Sequence, residues 1–151
     1  MITSGITAWS STGTTVWRPA YLLYLARAYG QLGQLNEASR CIADAMTAVE
    51  TTKESWYEAE IGRIAGELAL IGRKPDAPRA QVYFEHALAV ARQQQAKSWE
   101  LRASMSLARL WRDQGKVQQA RELLAPVYGW FTEGFDTLDL KEAKALLDAL
   151  A

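Results

Sequence analysis

The chain has 151 residues, 49% hydrophobic and 23% charged, with 17 Lys+Arg balancing 17 Asp+Glu. That length supports one domain with a sizeable core, and the neutral balance argues against a dedicated nucleic-acid binder, which carries a basic excess. No apolar run approaches the roughly 20 residues of a membrane span; the opening MITSGITAWSSTG lacks the basic start and apolar stretch of a signal peptide, and the single Cys41 fits a reducing cytoplasm.

Helix formers dominate, and alternating β-branched runs are absent, so the reading is all-α. Residues 1–14 read as the tail of an earlier helix whose partner lies upstream. A first helix is predicted at about 18–32, opened by Pro19 in a turn where its missing N–H costs nothing. A second follows at 35–50. The next pair is predicted at 55–72 and 77–95. Ser55 and Glu58 are spaced as a capping box at the start of the former, and Asp76 is placed to cap the latter. A third pair is predicted at 98–114, with Ser98 as cap, and 117–132, where Pro126 falls inside and should kink the helix. The last helix, 138–150, carries Leu138, Ala143, Leu146, Leu147 and Leu150 on one face, with Asp136 or Thr137 as cap.

These pairs repeat. Ala26, Tyr29 and Gly33 share their offsets with Ala65, Leu68, Gly72 and with Ala108, Trp111, Gly115. Nine residues before each alanine stands Trp17, Trp56 or Trp99, so the repeat length is 39 and then 43 residues. A second set follows each glycine: Ala38, Ile42, Ala45; Ala80, Phe84, Ala87; Ala120, Leu124, Val127. Offsets of three, four and seven place these residues on one helix face. Small residues let helix axes approach, and the glycine suits a left-handed C-terminal cap. Each unit is then a helical hairpin that must stack on its neighbours to bury its apolar faces. The expected architecture is an α-solenoid of antiparallel hairpins: repeats at 17–54, 55–97 and 98–135, then a capping helix at 136–151.

The pattern Ala-x-x-Tyr-x-x-x-Gly-x4-Ala-x3-Ile-x2-Ala over 26–45 resembles the tetratricopeptide repeat, and the third unit matches it with Trp111 in the tyrosine's place. The stretches VWRPAYLLYLARAYGQLGQ, SWYEAEIGRIAGELAL and GWFTEGFDTLDLKEAKALL resemble the C-terminal repeat region of large bacterial signalling proteins. Those proteins join a class III adenylate/guanylate cyclase domain, an AAA-type ATPase domain and helical repeats. The resemblance implies a regulatory scaffold and carries no cyclase or ATPase residue into this chain.

No catalytic set is apparent, and no cofactor or metal is expected. There is no GxxxxGK[ST] loop and no GxSxG. His86 has no nearby cysteine and reads as a helix-surface residue; Cys41 reads as a buried inert thiol. Trp17, Trp56 and Trp99 share one phase and are expected to fill equivalent gaps between repeats. The candidate binding face is the wall of first helices: Tyr24, Arg27 and Gln31; Arg63 and Glu67; Arg102, Met105, Arg109 and Arg112. Its arginines would suit a peptide bearing carboxylates; a solvated face balanced by Glu60, Glu67, Glu100 and Asp113 is the competing reading. The functional expectation is a non-catalytic protein-interaction module that binds a peptide or upstream domains of its own chain. Alternatives are a small-molecule sensor and a homodimer formed through an exposed repeat face.

Overall fold

The computed structural model describes residues 17–151, so the expected remnant at 1–14 lies outside the described residues. Seven helices and no strand occur among them: α1 Arg18–Gln31, α2 Leu35–Thr52, α3 Glu58–Leu70, α4 Ala77–Gln93, α5 Lys97–Asp113, α6 Val117–Gly129 and α7 Leu138–Ala149. None is long and apolar enough to cross a membrane.

Helices α1 and α2, α3 and α4, and α5 and α6 pack as pairs, and α2 against α3 and α4 against α5 join one pair to the next. The odd-numbered helices also touch in succession, α1 on α3, α3 on α5 and α5 on α7, whereas α2, α4 and α6 make no contact with one another. The matched small residues drive this packing. Ala26, Ala108, Ala38, Ala45, Ala80, Ala87 and Ala120 are all fully buried, and Ala65 nearly so. On α3, Gly62 and Gly66 extend the same logic: a Cβ on Gly66 would stand 2.5 Å from the Phe84 ring, so only glycine lets α4 lay that ring across α3.

The turns follow from backbone chemistry. Gly33 and Gly115 adopt φ of 74° and 77°, and the residue after each donates its N–H back to the carbonyl five positions earlier, Gln34 to Tyr29 and Lys116 to Trp111. The turn between α3 and α4 is different. Ile71 is extended, Gly72 has φ 110°, and the longer loop closes when Asp76 N–H donates to Ala69 O at 2.8 Å. The Asp76 side chain then caps α4 by accepting from Arg79 N–H at 3.0 Å, as expected.

Other expected caps are corrected. Ser55 and Glu58 form no capping box: α3 starts only at Glu58, and Ser55 contributes its carbonyl, which accepts from Glu58 N–H and from Gln94 Nε2. Ser98 lies inside α5, because Gln95 at φ 55° and the Ala96 N–H to Ala91 O bond turn the chain early and the helix opens at Lys97. Thr137 occupies the cap position of α7, yet its hydroxyl donates to Gly134 O. Helix α6 holds Pro126 in its last turn and stops at Gly129, short of the expected 132.

The tryptophans depart from the core role expected of them. Trp17 and Trp56 remain 46% and 40% exposed. They meet edge to face at 5.5 Å, Trp56 continues to Tyr57 at 4.2 Å, and Tyr57 to the half-buried Trp99 at 5.9 Å. They stand at the first turns of the odd helices, so their rings run along an edge shared by successive pairs and stay partly in water.

Candidate functional site

Helix α3 sits among α1, α2, α4 and α5, and every residue from Ala59 to Gly66 is buried. Arg63 therefore cannot face an open groove; it is 7% exposed. Its Nε donates to Glu60 Oε2 at 2.8 Å and its Nη2 to Glu60 Oε1 at 2.6 Å, while Nη1 is bonded to Glu67 Oε1. Ser106 Oγ donates to the same Glu67 oxygen at 3.2 Å. Burial alone would lower the affinity of Arg63 for its proton. The hydrogen bond and charge of Glu60, with Glu67 and Asp139 behind, outweigh that and hold it more firmly cationic.

The network crosses to the neighbouring helices. Arg102 Nη1 lies 2.8 Å from Glu60 Oε1, its Nε 3.5 Å from Asp139 Oδ2, and its guanidinium 5.6 Å from the Trp99 ring centroid. Arg109 pairs with Glu142 at 3.2 Å, and Arg112 with its neighbour Asp113 at 3.0 Å. Met105 is 3% exposed and packs with Leu101, Ala108 and Leu140, so it is a core residue and not a wall contact. The expected row of open arginines is thus corrected: four of the five are engaged by carboxylates of the chain itself. Arg63 is buried with its charge matched, because leaving an unpaired charge inside would cost several kcal/mol (of order 3–5). Arg27, exposed on α1, has no carboxylate partner among the described residues.

A cavity of about 420 Å³ lies elsewhere, between α2, α3 and α4. On the odd-helix face a smaller one of about 120 Å³ gathers Tyr24 and Arg27 from α1, Tyr57 just before α3 with Glu60 and Ile64 on it, and Trp99 and Arg102 from α5. Of the expected binding residues it unites Tyr24, Arg27 and Arg102. Gln31, Arg63, Glu67, Met105, Arg109 and Arg112 do not line it. The Tyr57 hydroxyl is held protonated by burial first and then by the proximity of Tyr24 and Glu60, so it is a hydrogen-bond donor at neutral pH. Aromatic walls, a guanidinium without a carboxylate partner among the described residues and phenol donors suit non-covalent recognition. Tyr57, Ile64 and Asp139 escaped the sequence reading, whereas Glu60 was named there among the carboxylates balancing the arginines. The i to i+3 spacing of Glu60 and Arg63 was the available signal for the ion pair.

Cys41 is buried, and burial, then Asp44 and Glu37, push its thiol above the usual range against the opposing Arg40. His86 is exposed, with Nε2 3.5 Å from Glu58 Oε1. No group of three or more His, Cys, Asp or Glu that could hold a metal occurs among the described residues. Comparison with known proteins finds no matching family model and no match among curated proteins.

Proposed function

We propose that this chain is a non-catalytic protein-interaction and scaffolding module, built as an α-solenoid of three hairpins, 17–54, 55–97 and 98–135, closed by the helix in 136–151. The succession of odd-helix contacts and the burial of equivalent alanines in each pair support that architecture. The resemblance to tetratricopeptide repeats and to the C-terminal region of cyclase-type signalling proteins makes it a regulatory segment of a bacterial cytoplasmic protein. Its partner is a peptide or an upstream domain of the same chain.

The observation that carries the reading is the aromatic cavity between α1, α3 and α5, lined by Arg27, which has no carboxylate partner among the described residues. The partner inserts one apolar or aromatic side chain between Tyr24, Tyr57 and Trp99 and sets a carboxylate against Arg27. A peptide-display selection against the full chain, followed by titration of the selected peptides, tests this. Arg27→Glu and Trp99→Ala should each weaken binding about tenfold or more, with the fold kept by circular dichroism. Selected peptides that bind both variants as well as the parent chain would refute it.

A further inference from the structure

The extra residues in the loop between α3 and α4 do more than lengthen a turn. The 420 Å³ cleft beside them has an apolar floor of Ile42, Met46, Ala65 and Leu68, from α2 and α3. Lys74 and Arg79, from the loop and from the first turn of α4, also line it and are exposed. The backbones of α2 and α4 do not approach closely, so the cleft opens between them over α3, where the first pair meets the second.

The charge along this cleft is unbalanced. Lys74 and Arg79 have no carboxylate partner among the described residues; the Arg79 guanidinium rests 5.7 Å from the Tyr83 ring centroid, and its Nη2 donates to the Tyr83 hydroxyl at 3.4 Å. Asp76 is the one carboxylate among the lining residues, and it is committed to the backbone N–H of Arg79 as a helix cap. Two cations against one anion, whose charge also acts on Arg79, leave a single net positive charge along the edge above an apolar floor. A pocket of some 300–1,000 Å³ with an apolar lining and few polar groups is the size and character of a small-molecule site.

We propose that this cleft binds a small amphiphilic carboxylate, with an aliphatic tail against Ile42, Met46 and Leu68 and the head group held by Lys74 and Arg79. Such a ligand touches both α2 and α4 and ties the first pair to the second, so binding and stiffening of the stack are coupled. Its site is separate from the aromatic cavity, so either proposal stands if the other falls.

The test uses the full chain with decanoate, decanol and decylammonium, each below its micelle threshold, by calorimetric titration and thermal melting. Decanoate should bind once per chain and raise the melting temperature, and the other two head groups should bind about tenfold more weakly or worse. The Lys74→Gln/Arg79→Gln double variant removes two exposed charges and the surface contact of Arg79 with Tyr83, and should weaken decanoate by at least about tenfold. Ala43→Leu, on an exposed part of the lining, should fill the cleft and abolish binding while the fold is retained. Absence of decanoate binding, equal binding of the three head groups, or unchanged binding in Ala43→Leu overturns the proposal.

Discussion

Arg63 grips Glu60 with two arms in the interior of the protein, Nε to Oε2 at 2.8 Å and Nη2 to Oε1 at 2.6 Å. The two residues stand one turn apart on α3, which packs against α1, α2, α4 and α5, and Glu67 and Arg102 complete the charge balance around them. Removing Arg63 leaves the buried Glu60 carboxylate, 6% exposed, with Arg102 as its remaining partner. Arg63→Ala should therefore cost ~3–5 kcal/mol. The lower end is expected, because Arg102 stays 2.8 Å from Glu60. Arg63→Lys should recover only part, since an ammonium cannot make the paired contact. Urea unfolding at neutral pH measures both, and a loss for Arg63→Ala under ~1 kcal/mol would mean that the network behaves as a surface one.

Close packing makes a graded prediction. Ala108 is fully buried, and Ala108→Leu should cost ~1–3 kcal/mol by overpacking. Ala65 borders the 420 Å³ cleft, so Ala65→Leu has room to one side and should cost less. Gly66→Ala drives a methyl into the Phe84 ring and should destabilise, although alanine is the better helix former by ~1 kcal/mol. Chemical denaturation midpoints of the three variants give the order directly; Ala65→Leu as the most damaging would contradict the geometry.

His86 provides the negative control. Its side chain is 58% exposed and its contact with Glu58 is long at 3.5 Å. His86→Ala should alter stability by no more than about 0.5 kcal/mol, and a larger change would reveal a role for the imidazole that its surroundings do not explain.

Glu100 yields a pH dependence. Burial acts to raise its carboxyl pKa, but hydrogen bonds from Lys97 at 2.8 Å and Arg92 at 3.1 Å together prevail and leave it below the usual range. A carboxyl depressed in the folded state stabilises fully above its unfolded value of about 4.3, and that contribution is lost as pH falls through the folded value. Glu100→Gln should be less stable than the parent at neutral pH, with the gap closing on acidification. Urea midpoints for both chains across the acid range decide it, and a gap that does not change with pH would rule the carboxylate out as its source.

Residue order alone determined that these seven helices form, because their signals are local: Pro19 opens α1, Asp76 caps α4, and the positive-φ glycines at 33 and 115 turn the chain back; the starts of α3 and α5 and the end of α6 were not set by it. It also determined which alanines lie inside, since an apolar stripe at offsets of three, four and seven can point only one way on a helix. Tertiary structure alone decided the fate of the charged wall. Arg63 has the same phase as the exposed Tyr24 of α1, and it is buried because α3 has a neighbour on both sides in its own layer, α1 and α5, whereas among the described residues α1 contacts only α3 there; Met105 shares its phase with Leu23, which is buried as well. How many neighbours a helix acquires is a property of the whole stack, and so is the choice of carboxylate for each arginine.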